Sequence, residues 1–593
     1  MKRSKTLETM DSPDLGRDGP EARFWQAGRP FVLLDDQSGR AAARLYREPV
    51  ETVEAWTLAE VKPALERLRA AERHAAGWIA YEAGYALERK LGRLPPGEGP
   101  LLWFGLFDGW EAVDAAALLP SGDGAWAGAP RPRVPRAAHE AAVATVRRHI
   151  LAGDVYQANL TFQADVATAG HPLALYANLR ERALGGWGAV VFTGRQWLLS
   201  FSPELFFTLE SGRITARPMK GTAPAGSDPE ALRSDPKQRA ENLMIVDLLR
   251  NDLARVSRPG SVEVPELFAV ELYPTVLQMT STVAARLEEG VGPVDVVEAI
   301  FPCGSVTGAP KIRAMELIAA LEAGPRGAYT GSVGRLAPDG EAAFNVAIRT
   351  LVLPAGGGGA RIGLGSGIVA DSVPADEWRE CLAKGAFVET TRSFDLIETM
   401  RFDPVEGIAE LERHLARMKR SADALGFAFD RHDARNELQA ATFFLRGPRK
   451  LRLRLSRTGA IAVESRPMPP APLAPVAVAV RPTPVEAEDF RLAHKTSDRG
   501  FYEAARAEAF DTLFVDSAGF LTEGSWSSLF VKRDGRLLTP PISRGLLPGV
   551  LRERLIEEGR AVEADLRVED LAGGFYIGNA VRGLIAAELA GDT

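Results

Sequence analysis

The stretch Ala189-Val190-Val191-Phe192-Thr193-Gly194-Arg195-Gln196-Trp197-Leu198-Leu199-Ser200 decides the fold of the longer part of this chain. Two apolar runs flank a short polar segment containing a glycine, which is the pattern of a β-hairpin. Upstream the periodicity changes. From Ala137 onward, Val143, Val146, Ile150 and Leu151 recur at helical spacing, and Gly153 stands where a helix cap is expected. Strands grouped with helices, without strict alternation of the two, indicate an α+β layered domain.

Working outward, Phe31-Val32-Leu33-Leu34-Asp35 reads as a short strand, residues 58–76 as a helix, and Gly77-Trp78-Ile79-Ala80-Tyr81 and Leu101-Leu102-Trp103-Phe104-Gly105 as strand-like pieces. A Gly/Pro-rich stretch, 120–135, is expected to separate an N-terminal sub-domain (25–130) from a catalytic domain (131–390). Residues 1–24 are charged and rich in Asp, Gly and Pro, and read as disordered. A second start appears near Ser393. Phe394-Asp395-Leu396-Ile397-Glu398-Thr399 reads as a strand and residues 411–425 as a helix, opening a further domain over 393–593.

The length of 593 residues exceeds what one core supports and suggests about three to four domain-sized units. Hydrophobic content of 46% and charged content of 25% are those of an ordinary globular protein. The net charge of -7 forms no basic stripe, so neither nucleic acid nor an anionic membrane is an expected partner. Cys303 and Cys381 are the two cysteines, and no CxxC or Cys/His spacing exists for a zinc site or a disulfide framework. With no long apolar run and no apolar segment near Met1, the expected location is the cytoplasm and the expected ligand a small molecule.

Chemistry enters at Arg217-Pro218-Met219-Lys220-Gly221-Thr222, where a glycine lets backbone approach a ligand closely and Lys220 can present an amine. Desolvation or neighbouring cations turn such an amine into a nucleophile. Two helix-like runs carry carboxylates. Glu241 opens one, and Glu377 and Glu380 lie three apart on the other. Carboxylates meeting from separate segments suit Mg²⁺, which takes few protein oxygens; the plainer reading of Glu380 is a pair with Lys384 one turn on. Cys303-Gly304-Ser305-Val306-Thr307-Gly308-Ala309-Pro310-Lys311 and Gly363-Leu364-Gly365-Ser366-Gly367-Ile368-Val369 offer glycine-rich backbone to an anion.

Together with Gly153-Asp154-Val155-Tyr156-Gln157-Ala158-Asn159-Leu160, Ser202-Pro203-Glu204-Leu205-Phe206, Gly327-Ala328-Tyr329-Thr330-Gly331 and Ala347-Ile348-Arg349-Thr350, these runs resemble the chorismate-utilising enzymes over about residues 25–390. The resemblance implies a β-sandwich flanked by helices. It implies that Glu241 and Glu380, with Glu377 close by, hold Mg²⁺ as a Lewis acid. Thr307, Gly308, Tyr329, Arg349, Gly365, Gly367, Lys384 and Gln278 are then substrate-binding, an arginine being suited to grip a carboxylate bidentately. Within the family the residue before the Gly-Thr of this run divides the branches. Anthranilate synthases carry Ala there; aminodeoxychorismate synthases carry Lys, whose amine attacks ring C2. Lys220 accordingly reads as a covalent nucleophile, kept neutral by Mg²⁺ and Arg nearby. Many relatives have His where this chain has Gln278, which cannot shuttle a proton, so the acid for the leaving hydroxyl stays open. The N-terminal part resembles a sub-domain that binds tryptophan in some members, and is read here as structural packing.

In 393–593, Lys495 and Glu523 are a candidate amine and a candidate acid for pyridoxal 5'-phosphate, which needs one to join its aldehyde and the other opposite its ring nitrogen. Leu547-Pro548-Gly549-Val550-Leu551-Arg552 opens a helix whose free N–H groups, at Val550 and Leu551, suit the phosphate. With Ile397-Glu398-Thr399-Met400-Arg401, Arg413-His414-Leu415-Ala416-Arg417-Met418 and Asn579-Ala580-Val581-Arg582-Gly583, this part resembles the class IV, D-amino acid aminotransferase-like, pyridoxal-phosphate enzymes. That implies a two-subdomain α/β domain in which Arg417 adds a phosphate contact. The family's usual opening strand and Asp-Arg-Gly stretch are missing before Phe394; Ser528 stands where many members have Asn and Ala580 where many have Ser.

The fusion joins the two readings. A synthase making aminodeoxychorismate, followed by a lyase acting on it, yields p-aminobenzoate and pyruvate, the branch that feeds folate. Neither cysteine has the setting of a glutaminase nucleophile, so a separate glutamine amidotransferase subunit is the expected partner, and a homodimer through the pyridoxal-phosphate domain is the assembly the resemblance admits. The alternative is an anthranilate or isochorismate synthase module fused to a class IV aminotransferase.

Overall fold

The computed structural model describes residues 25, 28–37, 42–183, 185–224, 226–272, 276–473 and 475–590. The reading of 1–24 as disordered lies outside the described residues. In the hairpin, Trp187–Phe192 pairs antiparallel with Gln196–Ser202, Val190 opposite Leu199, and Gly194 turns the chain at φ +84. Ala189, Val191 and Leu198 face one core, while Val190, Phe192, Trp197 and Leu199 face another under the helix Pro172–Ala183. Burial on both faces explains why these strands read as continuous apolar runs rather than alternating ones.

Two ten-stranded sheets enclose the first core. In spatial order the first contains Gly308–Ala309, Gln157–Val166, Ala360–Ile368, Thr350–Pro354, Gln196–Ser202, Trp187–Phe192, Phe31–Asp35, Ala43–Arg47 and Glu111–Val113. The second runs from Met219–Pro224 and Val276–Arg286 to His74–Ile79, Leu102–Phe107 and Glu51–Ala55. The boundary expected near residue 130 does not separate packing units. Phe31–Asp35 pairs with Trp187–Phe192 in one sheet and His74–Ile79 with Ser332–Leu336 in the other, so the N-terminal part extends both sheets. Unpaired strand edges are costly, and this pairing covers the edges of Trp187–Phe192 and Ser332–Leu336. The helix expected over 58–76 ends at Arg69, because from His74 the chain enters a strand buried on both faces, with Ala75, Ala76 and Trp78 in the core. Leu151 lies off the buried stripe of its helix and is exposed, whereas Val143 and Val146 are buried.

The remaining chain forms two smaller sheets, as expected of a two-subdomain α/β unit. Four strands centred on Leu396–Asp403 and Arg449–Leu455 pack under the helices Leu411–Leu425 and Arg431–Thr442. Eight further strands form a mixed sheet in which Val476–Pro482 runs parallel to Asp511–Val515 and Gly583–Leu589. No helix among the described residues is long and apolar enough to cross a membrane.

The 120–135 stretch is not a spacer. Trp126–Ala127 pairs with Thr168–Ala169, and the Trp126 ring, 1% exposed, stands edge-on to Phe394 at 6.0 Å with the Arg457 guanidinium 5.3 Å from its centroid. Trp126 belongs to the core of the four-stranded subdomain, with Leu396, Met400, Leu415 and Leu451. Arg131 donates to Gly426 O at 2.5 Å beside it. The sandwich thus packs against Phe394 at the start of the C-terminal unit. Trp126→Ala should cost about 3–5 kcal/mol in that subdomain, seen in calorimetry as a lowered transition of the C-terminal unit; an unchanged transition would show that Trp126 is not part of its core.

Candidate functional site

Lys220 is the second residue of Met219–Pro224, at the edge of the second sheet. Its Nζ lies 3.3 Å from Glu241 Oε2, and a Cβ placed on Gly367, in the first sheet, would lie 3.3 Å from the same nitrogen. The amine therefore sits where the two sheets meet, and the glycine leaves it room. Asn242, next to Glu241 on the helix Pro236–Ala254, donates to Lys220 O at 3.1 Å. Ser281 Oγ donates in turn to Asn242 Oδ1 at 2.7 Å, and both residues are fully buried. One helix turn thus fixes both ends of Lys220.

Glu380 does pair with Lys384, at 2.8 Å along the helix Pro374–Gly385, and Lys384 Nζ also donates to Gly365 O at 3.0 Å. Desolvation pushes the Glu380 carboxyl up, but Lys384, with Lys220 and Lys237 behind it, outweighs that and holds it below its usual range. Lys237 pairs with Asp371 at 2.8 Å and lies in the field of Glu241 and Glu377. Among the described residues no three His, Cys, Asp or Glu side chains gather at one point, so Glu377 joins no shared site with Glu241 and Glu380. The donor set still fits Mg²⁺, whose shell needs only one or two protein carboxylates beside water and substrate. The Lys220 amine is paired with the Glu241 carboxylate beside Gly367.

Glu204 carries a role the sequence reading quoted without assigning. It follows the strand Gln196–Ser202, is buried, and accepts from Ser305 Oγ at 2.6 Å. Burial pushes its carboxyl up to about 7, against that hydrogen bond and the fields of Lys220 and Lys384. A carboxylate placed directly after an apolar strand was the available signal.

The substrate-binding candidates divide. Gly367 adjoins the Lys220 amine, Lys384 donates to Gly365 O, and Gly308, at φ +146, lies two strands from Ile368 across Ala158, where a Cβ would meet Gln157 O at 2.3 Å. Gln278 accepts from Thr222 Oγ1 at 3.0 Å, two residues from Lys220. Thr307 spends its hydroxyl on Cys303 O and Gly304 O, at 3.0 and 3.1 Å. The buried Tyr329 ring covers Gly363, burial pushing its phenol up, and Arg349 Nη1 donates to Ala183 O at 2.9 Å.

The second site is a cavity of about 640 Å³ between the two smaller sheets, walled by Lys495, Arg417, Glu523, Val550 and Leu551 among others. Desolvation pushes the Lys495 amine down to about 7, and the Arg417 charge adds to it. Glu398, also quoted without a role, is a fully buried carboxylate held by Arg417 Nε and Nη2, at 2.8 and 2.7 Å, and by His414 Nδ1 at 2.6 Å. Desolvation opposes its charge, but Arg417 and His414 prevail and hold it well below the usual carboxylate range. Arg417 Nη1 donates to Pro548 O at 2.9 Å. An arginine has five N–H donors, so two remain for an anion.

Glu523 is raised to about 7 by burial, opposed by Arg499 and by the Tyr502 hydroxyl donating at 2.6 Å. A Cβ on Gly549, the cap of the helix Val550–Glu557, would meet Ser528 Oγ at 2.6 Å, so serine and helix start adjoin. His414 Nε2, Arg452 Nε and Arg499 Nη1 are buried without a hydrogen-bond partner among the described residues, and all three side chains line this cavity. An amine, an acid, a helix N-terminus and unmet donors fit pyridoxal phosphate.

A lysine between the sheets of a sandwich, with carboxylates able to hold a dication, joined to a lysine in a phosphate-suited cavity, defines a two-site small-molecule enzyme. The chain belongs to the chorismate binding enzyme family, whose model matches residues 26–390, and residues 395–588 match that of amino-transferase class IV. An aminodeoxychorismate synthase of Streptomyces griseus is 44% identical over 248 residues, covering 40% of this chain and 34% of that one. Aminodeoxychorismate synthase component 1 of Klebsiella aerogenes is 43% identical over 246 residues, 40% of this chain and 54% of its own. The chain thus spans about a third to a half of the length of these relatives. The crystal structure of anthranilate synthase component I from Streptococcus pneumoniae shares the fold, at 24% identity and a TM-score of 0.52, over 66% of this chain and 95% of that one.

The raised Glu204 carboxyl gives a stability prediction. Below the ordinary value of 4.5 both folded and unfolded chains hold the proton; between 4.5 and about 7 the unfolded chain releases it and the folded one does not, so folding is penalised as pH rises. Glu204→Gln should therefore raise Tm at pH 8, by up to about 3 kcal/mol of relieved cost, and leave it unchanged near pH 4; a uniform fall in Tm would contradict this.

Proposed function

We propose that the chain makes p-aminobenzoate in two steps, from chorismate and ammonia to 4-amino-4-deoxychorismate and then, with loss of pyruvate, to the aromatic product for folate synthesis. The observation that carries the reading is the Lys220 amine set against Glu241 and Gly367 at the meeting of the sheets. The names of the relatives support the substrate, and "component 1" supports a separate partner, read here as a glutamine amidotransferase supplying ammonia.

In the first site Glu241 and Glu380 would hold Mg²⁺, which supplies Lewis-acid help to the departing hydroxyl. Withdrawal of the Glu241 carboxylate from Lys220 removes the partner of its charged form and favours the free amine. The amine bonds to ring C2 as both ring double bonds shift, C1=C2 to C1=C6 and C5=C6 to C4=C5, and the C4–O bond breaks. Glu204, protonated near neutral pH, donates the proton with which the hydroxyl leaves as water, the task Gln278 cannot perform. Ammonia then bonds to C4, both double bonds shift back, and the C2–N bond to Lys220 breaks.

In the second site pyridoxal phosphate, when bound, supplies the electron sink for charge developing beside the substrate nitrogen. Arg417 and the Val550 and Leu551 amides would hold its phosphate, with Glu523 as the acid for its ring nitrogen. Lys495, easily deprotonated near pH 7, takes the proton from C4 and returns one to the methylene of the enolpyruvyl group as the C3–O bond breaks. Aromatisation of the ring drives the step.

Chorismate with Mg²⁺ and ammonium salts should give p-aminobenzoate and pyruvate; anthranilate or salicylate would instead favour the alternative synthase modules. Lys220→Ala should lower aminodeoxychorismate formation on the order of 10³-fold while lyase activity persists, and Lys495→Ala should let aminodeoxychorismate accumulate, both followed by chromatography of the products.

A further inference from the structure

The strand Arg449–Leu455 reads Arg449-Lys450-Leu451-Arg452-Leu453-Arg454-Leu455. From Lys450 on, cation and leucine alternate. Leu451, Leu453 and Leu455 are each 0% exposed in the core of the four-stranded subdomain. A period of two puts Lys450, Arg452 and Arg454 on the opposite face. Three cations in a row on one face repel one another, and they are not neutralised equally. Arg454 grips Asp395 through Nε and Nη2, at 3.0 and 2.5 Å, and draws in Glu464 at 3.8 Å. Glu464 is the cross-strand neighbour of Arg452, yet its nearer partner is Arg466 at 3.3 Å.

Lys450 and Arg452 are left without an ion pair or hydrogen bond to any described residue, and both line the Lys495 cavity. Arg452 Nε is fully buried there. It stands opposite Thr399, another wall residue of the same cavity. A buried guanidinium N–H without a partner is costly unless an anion meets it.

The lyase reading, on which this inference rests, says what that anion is. An amino acid carries its carboxylate on the carbon that bears the amine. The ring amine of aminodeoxychorismate has none there; its carboxylates sit across the ring and at the end of the enolpyruvyl arm. Charge must then be met elsewhere on the cavity wall, and two strand residues two apart present groups spaced about 6.8 Å from each other. We propose that Lys450 and Arg452 form a dicarboxylate subsite that selects a dianionic ring amine over a simple amino acid. Both act on substrate carboxylates and neither takes part in proton transfer.

The test uses the full chain loaded with pyridoxal phosphate, with Arg452→Gln, Lys450→Gln and Arg452→Lys compared by kcat, KM and cofactor absorbance. With aminodeoxychorismate, Arg452→Gln should raise KM about ten- to a hundredfold with a much smaller change in kcat, keep the cofactor absorbance, and be largely rescued by Arg452→Lys. Lys450→Gln should raise KM in the same sense, and it carries the test if Arg452→Gln fails to retain the cofactor. The subsite is overturned if the cofactor-loaded variants keep the KM of the parent, or if kcat falls while KM holds. A parent chain that releases no p-aminobenzoate from aminodeoxychorismate would remove the lyase reading and this subsite with it, an outcome distinct from an active parent with indifferent variants.

Discussion

The Lys220–Glu241 contact at the meeting of the two sheets is the constraint on which the first site depends. A lysine and a glutamate, each mostly withdrawn from water, are tolerable together and costly apart. Lys384 meets Glu380 and Lys237 meets Asp371 in more exposed pairs. Glu241, Glu380 and Asp371 are each paired with an ammonium. Glu204 is the exception. It lies deeper, is hydrogen-bonded to Ser305, and tends to hold a proton rather than a counter-ion.

The second module solves the same problem differently. Glu398 is fully buried and charged because Arg417 and His414 surround it, and that triad fixes the guanidinium at the cavity wall while leaving donors to spare. Its subdomain also borrows apolar surface from the sandwich through Trp126. The fusion is therefore structural as well as sequential, since one module completes the core of the other.

Much of this was legible in the sequence. The hairpin at 187–202 and the helix Leu411–Leu425 follow from period and turn chemistry, and Lys220, Glu241, Gly367, Lys495 and Glu523 stand in short motifs whose order is itself information. Three kinds of feature were not legible. Sheet partners distant in sequence, such as Phe31–Asp35 with Trp187–Phe192, leave no local trace, which is why the N-terminal part looked separable. Trp126 sits in a Gly/Pro-rich stretch whose composition says spacer, and only tertiary contact reveals it as core. Glu204 and Glu398 are single carboxylates beside apolar strands, and their protonation follows from burial and neighbours that no pattern displays.

The central claim is that the Lys220 amine bonds to the chorismate ring. Incubating the protein with chorismate and Mg²⁺ in the absence of ammonia, quenching with acid, and mapping peptides by mass spectrometry tests it directly. The account predicts a peptide containing Lys220 heavier by the mass of chorismate less one water, and loss of that increment when ammonium is added before the quench. A Lys220 peptide unmodified throughout turnover, with aminodeoxychorismate still accumulating, would contradict it.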